Sequence, residues 1–164
     1  KKQPNHLQVE ETGDTYFDNA LLKAKAAALE TKTWTLADDS GLEVDILQGR
    51  PGIYSARYAD SNIDKINKLI NELGDTPYRS ARFISCMVLC NPEGILVKEA
   101  IGICWGEILK KPEYENGEFE SIFWVKEANC VYGKLSQSQL SKLGSRGKAA
   151  RELSPYLKKE LGIK

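Results

Sequence analysis

The sequence has a single histidine, His6 near its start, which argues against hydrolases built on a histidine base and against zinc sites built on several imidazoles. Cysteine is scarce too. The four, Cys86, Cys90, Cys104 and Cys130, form no C-x-x-C pair, and they read as buried thiols in a reducing compartment rather than a disulfide framework. Net charge is absent, because 23 Lys and Arg balance 23 Asp and Glu. No overall field therefore draws in a nucleic-acid polymer or an anionic membrane. No apolar run approaches the roughly 20 residues that cross a bilayer, and the N-terminus shows no signal-peptide pattern. A cytoplasmic protein is expected, with neither membrane nor nucleic-acid polymer among its partners. An anionic ligand would need a local site, where any metal would be a hard cation on carboxylates.

What is present is an ordinary globular composition, 41% hydrophobic and 28% charged over 164 residues. A chain of that length makes one domain that buries about two-thirds of its unfolded surface. Residues 1–13 are polar and read as loop or a short edge strand around Leu7–Val9. Asp14 or Thr15, with Asp18 in capping-box position, starts a helix running to about Glu30. Its apolar stripe is Phe17, Ala20, Leu21, Ala24, Ala27 and Ala28, and Lys23 lies mostly outside it. Thr33–Ala37 reads as a strand and Leu42–Leu47 as a short helix. A second helix spans 61–73 and stops at Gly74. Segments 81–90 and 95–106 flank Asn91-Pro92-Glu93-Gly94 as a hairpin. Ser121–Val125 reads as a strand, and a helix from about Gly147 to Gly162 follows. No repeat or linker divides the chain, so residues 1–164 read as one α/β domain.

The chemistry-bearing residues cluster after the first strand, at Asp38-Asp39-Ser40-Gly41. Consecutive residues of an extended backbone point to opposite faces, so only one of the two aspartates can face a given cleft. Ser40 and Glu43 have capping-box spacing, which suggests a helix N-terminus at Ser40 facing a phosphate. The same four residues also make an ordinary strand-to-helix turn. Glu10 and Glu11 before Thr12-Gly13, and Arg57 in its loop, are similarly open between ligand-binding and structural roles. Trp34, Trp105 and Trp124 read as packing residues in strands. Taken by themselves, the residues lead as far as an α/β domain with a candidate acidic metal site.

Several longer words are more specific. They are Glu11-Thr12-Gly13-Asp14-Thr15, Asp18-Asn19-Ala20 with Lys23-Ala24, Leu36 through Asp45, and Gly49 through Tyr58. Ala81-Arg82-Phe83, Gly106-Glu107-Ile108, Ser121-Ile122-Phe123 and Arg146-Gly147-Lys148-Ala149 continue the series. In order and spacing, from about residue 10 to the C-terminus, the chain resembles the inosine triphosphate pyrophosphatase family.

The resemblance implies a twisted mixed β-sheet with flanking helices, two lobes around a nucleotide cleft, and a homodimer. It implies magnesium-dependent hydrolysis of deaminated purine triphosphates (ITP, dITP and XTP) to the monophosphate and pyrophosphate. By position, Asp39 would be the general base, and Glu11 with Asp39 would hold Mg2+. Ser40 would meet the phosphates, and Gly117, Phe119 and Glu120 would hold the base, with Phe119 as a stacking ring. Ser145 and Arg146 stand where the family has His-Arg.

Departures accompany the matches. The family begins with a strand and a Ser/Thr-x-Asn-x-x-Lys loop, where this sequence has only Lys1 to Glu10. The resemblance thus leads us to expect an N-terminally shortened domain with an unpaired sheet edge. The family's Gly-Phe-Gly-Tyr-Asp-Pro loop is Asn116-Gly117-Glu118-Phe119-Glu120-Ser121 here, and Glu118 would repel a phosphate if it pointed inward. Aligned on Arg146, Leu140, Ser141, Gly144 and Ser145 stand for the family's Lys, Asn, Ser and His. Lys142 or Lys148 is the candidate replacement for the missing lysine. Three readings follow: an active pyrophosphatase, a catalytically impaired nucleotide- or protein-binding module, and a subunit completed by another chain at its open edge.

Overall fold

The computed structural model describes residues 9–162. Helix α1 (Tyr16–Thr31) starts where the sequence suggests, with Thr15 Oγ1 accepting the Asp18 N–H at 3.1 Å. Its buried face is made of Ala20, Ala24, Ala27 and Ala28, small enough to lay the helix close against strands β1 (Thr35–Val44) and β3 (Ser80–Cys90). Strand β2 is the short Pro51–Gly52. Helix α2 (Asn62–Leu73) is capped by Ser61 and ended by Gly74, and it buries Ile66, Leu69 and Leu73. Strand β4 (Leu96–Ile108) returns from β3 through a turn in which Asn91 Oδ1 accepts the N–H groups of Glu93 and Ile95. Strands β5 (Phe123–Val125) and β6 (Cys130–Val131) precede helices α3 (Gln137–Leu143) and α4 (Ser145–Leu161).

The sheet order is β2-β1-β3-β4-β5-β6, and every pairing among the described strands is antiparallel, where the resemblance implied a mixed sheet. Helix α1 covers β1 and β3 on one face, while α4 packs on β3 and β4 from the other. The main core gathers Leu42, Val44, Leu69, Ile108, Ile122 and Phe123, with Phe83 stacked on Phe123 at 4.5 Å between ring centroids. Among the described residues no helix is long and apolar enough to cross a membrane. Cys86, Cys90 and Cys104 are buried free thiols, and burial pushes Cys86 and Cys104 up to about 11.

Three local expectations change. Strand β1 does not stop before Ser40 but runs on to Val44, so Ser40 is a strand residue and no helix begins there. All ten residues of β1 pair with β3, and the alternation that buries Leu42 and Val44 fits a strand. A ten-residue ladder outweighs one three-residue capping pattern; the single helical turn waits until Asp45–Leu47. The strand read over Ser121–Val125 is shorter, because Phe119–Ser121 coils into a 3-10 turn. Helix α3, capped by a Ser136–Gln139 box, was not anticipated. The edge strand read around Leu7–Val9 falls mostly outside the described residues, as does His6. Among the described residues the outer edge of Thr35–Gly41 pairs with no strand.

Candidate functional site

Strand geometry separates the paired aspartates. Asp39, opposite Cys86 in the ladder, faces α1, whereas Asp38, opposite Met87, faces α4. Only 8% of Asp39 is exposed. Its Oδ2 accepts from Asn19 Nδ2 at 3.3 Å, and Asn19 Oδ1 in turn accepts the Gly13 N–H at 2.8 Å. Lys23, one helical turn after Asn19, brings Nζ to 3.5 Å from Asp39 Oδ1 and 2.7 Å from Glu11 Oε1. Burial raises the Asp39 carboxyl above the ordinary range and Glu11 adds to the rise, while Lys23 and Asn19 pull it back.

Glu11 and Asp39 thus converge on one cation, which the protein itself supplies. Two carboxylates are a donor set suited to magnesium, which keeps several waters and takes its other oxygens from substrate phosphates. Among the described residues no group of three or more His, Cys, Asp or Glu gathers as a richer metal cage.

On the opposite face lies a cavity of about 480 Å³. Ser40, Phe119, Glu120, Tyr132, Ser145 and Arg146 are among its lining residues. Glu120 is fixed there by the Glu118 N–H at 2.9 Å and the Tyr114 hydroxyl at 3.3 Å. Burial, with Glu120 beside it, pushes Tyr114 up to about 12. The Glu118 carboxylate accepts from Asn62 Nδ2 at 2.9 Å, which ties it to the start of α2. Phe119 is only 6% exposed and packs into the core near Tyr58, so it is a wall of the cavity rather than a free stacking ring. Gly117 lines a separate hollow behind this loop, with Ile63, Ile66 and Tyr114. Arg146 donates from Nε to Asp38 Oδ2 at 2.7 Å, closing one side of the cavity. Lys148 is spent on the Ile103 carbonyl at 2.7 Å.

The expected site residues therefore fall into two groups on opposite faces of β1, with Gly117 in neither. The open edge of the strand joins the groups. Leu42 N–H points away from β3 to Ser55 Oγ and Val44 N–H to the Arg50 carbonyl. The two-residue alternation turns the amides of Asp38 and Ser40 to that same outer edge. Ser85 and Tyr132 carry no signal in the sequence, while Asn19 and Lys23 stand in the longer words without an assigned role and Asp38 is the partner of Asp39 in the acidic pair. For Asn19 and Lys23 a signal existed, since a spacing of four places them on one helical face.

Comparison with known proteins follows the same lines. The Ham1 family model matches residues 1–156. A dITP/XTP pyrophosphatase of Synechococcus sp. is 44% identical over 160 residues, covering 97% of this chain and 78% of that protein. The dITP/XTP pyrophosphatase of Nostoc sp. is 42% identical over 156 residues, 94% of this chain and 80% of its own length. Among solved structures, the Staphylococcus aureus Ham1 protein superposes with a TM-score of 0.84 at 40% identity, covering 94% of this chain and 82% of that one.

Proposed function

The chain belongs to the Ham1 family, and from that membership and the site geometry we propose that it hydrolyses dITP, ITP and XTP to the monophosphate and pyrophosphate. The observation that carries this reading is the convergence of Glu11 and Asp39 on one cation, Lys23 Nζ, at 2.7 and 3.5 Å. In this reading the purine occupies the cavity between Phe119, Glu120 and Tyr132. The triphosphate leaves past Ser40 and crosses the outer edge of β1, where outward amides meet its oxygens. That path ends at Asp39 on the far face.

Asp39 then acts as general base on the attacking water, held in orientation by Asn19. Glu11 and Asp39 would hold magnesium, which when bound neutralises phosphate oxygens and lowers the pKa of a coordinated water. Lys23 lies close enough to give up the carboxylates and turn to a phosphate oxygen. Burial of Asp39 suits a base that is adequate only beside a cation.

A cytoplasmic homodimer is part of the same proposal. On the α1 face of the sheet, beside the helix, β4 exposes Ile101 and Trp105 at 53% and 56%. The Arg82 guanidinium lies 5.2 Å above the Trp105 ring, and Glu99 lies on the same face three rows along the ladder. A second copy, turned about a two-fold axis through this strip, buries both apolar rows.

The impaired-module reading has one observation in its favour: Arg146 is engaged by Asp38, while Leu140 and Ser145 occupy the cavity wall where the family has Lys and His. Pyrophosphate release from dITP, XTP and dGTP, with and without magnesium, separates the two readings. Magnesium-dependent release that vanishes in Asp39→Asn is expected. Nucleotide binding without release would favour the impaired module.

A further inference from the structure

The hollow between α2 and the loop 112–117 takes no part in the proposed reaction. Its volume is about 480 Å³, equal to that of the nucleotide cavity and of the usual size for a small-ligand site. Ile63 and Ile66 from α2, with Pro112 and Tyr114 from the loop, give it apolar walls. Ile63 is 59% exposed, so part of this apolar surface stands open to water.

The charge around the hollow has one sign. From Glu113 to Glu120 the chain carries four carboxylates and no Lys or Arg. No basic residue is among those that line the hollow. Three of the carboxylates are engaged: Glu113 by Lys134 at 3.0 Å, Glu118 by Asn62 Nδ2, and Glu120 by Tyr114 and the Glu118 N–H. Glu115 also lines the hollow and has no partner among the described residues. An anion is repelled here, and a neutral apolar molecule leaves Glu115 unanswered. An ammonium ion on an apolar body satisfies both the walls and the carboxylate.

Tyr114 is the partition between the hollow and the nucleotide cavity. Its ring passes Gly117, where an added Cβ would come within 2.7 Å of Tyr114 Cε2. Its hydroxyl ends against Gly133, where an added Cβ would collide with it. Gly133 and Glu120 both line the nucleotide cavity, and the hydroxyl donates to Glu120 Oε1 at 3.3 Å. One side chain therefore reaches from the hollow to the back of the cavity, through a slot that two glycines keep open.

We propose that the hollow is a second ligand site, for a small amphiphilic ammonium ion, and that its occupant tightens the nucleotide cavity by holding Tyr114 against Glu120. The coupling half rests on the reading of the cavity as a nucleotide site; the binding half does not. A body packed on the Tyr114 ring removes part of its freedom before the nucleotide arrives, so less ordering remains for the nucleotide to impose. The effect is reciprocal, because nucleotide must tighten the ammonium ion by the same factor.

The probe is 2-phenylethylammonium, titrated into the full chain and followed by NMR. Saturable shifts are expected at the Ile63, Asn67 and Gly117 amides and at the Tyr114 ring. Glu115→Gln should weaken the probe by up to about fivefold, the upper range for an exposed ion pair. Uncharged 2-phenylethanol should bind more weakly than the probe, and equally to wild type and variant. A wild type without saturable shifts, or a Glu115→Gln variant that binds the probe unchanged, would overturn the site. An arginine-containing dipeptide that saturates the same amides where the amine does not would overturn it in favour of a protein side chain.

The second arm is calorimetric. Near saturation with the probe, affinity for dIMP is expected to rise about fivefold, the low end of typical couplings, and dIMP should raise the probe's affinity equally. Tyr114→Phe keeps the hollow but removes the donation to Glu120, so it should bind the probe as before and lose the coupling. Probe binding that leaves dIMP affinity unchanged would overturn the coupling. A wild type that binds dIMP but releases no pyrophosphate from dITP sinks the hydrolase reading alone, and both halves of the proposal stand. If dIMP does not bind at all, the coupling falls with the nucleotide reading, and the probe titration decides the site.

Discussion

Asp38 and Asp39 are neighbours in sequence but serve opposite faces of one strand, Asp38 receiving Arg146 Nε at 2.7 Å and Asp39 receiving Asn19 Nδ2 at 3.3 Å. Their substitutions should therefore fail in different ways. Asp39→Asn removes the proposed base and is expected to lower kcat for dITP at least about 100-fold, within the usual range for a general base. Asp38→Asn loosens Arg146 and Ser40 without touching the reacting water. It should raise KM up to about tenfold, since Arg146 is 64% exposed in its side chain and such pairs are individually weak. Steady-state kinetics of the two variants check this, and equal losses in kcat would contradict the division of faces.

The raised pKa of Asp39 has a consequence for stability. The folded protein holds the Asp39 proton more tightly than the unfolded chain does. Stability from this group is therefore greatest below the unfolded carboxylate pKa. It falls as pH rises from there through the raised folded value, because the native state binds more protons across that window. Asp39→Asn should consequently raise the Tm of the metal-free protein at neutral pH, with the gain shrinking toward strongly acidic pH. Added magnesium should raise the wild-type Tm and leave the variant much less changed. Thermal denaturation with and without magnesium at several pH values reads both effects. A destabilised variant at neutral pH would count against the burial argument.

Gly102 is a packing hinge rather than a turn residue. Because an added Cβ would meet backbone atoms of α4, which no rotamer change relieves, Gly102→Ala should push the helix off β4. Overpacking of this kind costs roughly 1–3 kcal/mol, and the backbone contact favours the upper part of that range. Urea denaturation should show the loss in midpoint with an unchanged slope.

Much of this fold was legible because local signals and tertiary packing agree. The Thr15 cap, the Ser61–Gly74 helix and the hairpin around Asn91 each combine a capping or turn residue with the right apolar spacing. The spacing of Ser40 to Glu43 imitates a helix start, and only the β3 partner strand makes Ser40 a strand residue. The site was half legible. Glu11 and Asp39 stand out as acids in specific words, but Lys23, their shared cation, looked like a solvated helix residue. Ser85 carried no signal at all, since its partners lie 45 and 60 residues away in the chain. Contacts of that span are made by the sheet register and the seating of α4.

The apolar strip on β4 offers the remaining prediction. Ile101 and Trp105 lie two rows apart on the α1 face of the sheet, beyond the part over β1 and β3 that the helix covers, and each leaves more than half its surface in water. Exposed rows of this kind on a sheet mark an interface more often than a free surface. The Arg82 guanidinium over Trp105 is already paired with Glu43 at 2.6 Å, so the apolar rows rather than charge would carry the contact. Ile101→Lys places a charge at the middle of the strip, near where the axis must pass. It is expected to shift the particle from dimer to monomer in analytical ultracentrifugation while circular dichroism stays unchanged. A more conservative Glu99→Gln should change the dimer little, because Arg82 already has Glu43 as its partner. A wild-type protein that sediments as a monomer at micromolar concentration would refute the strip as a dimer contact, and Ile101→Lys would then leave the sedimentation unaltered.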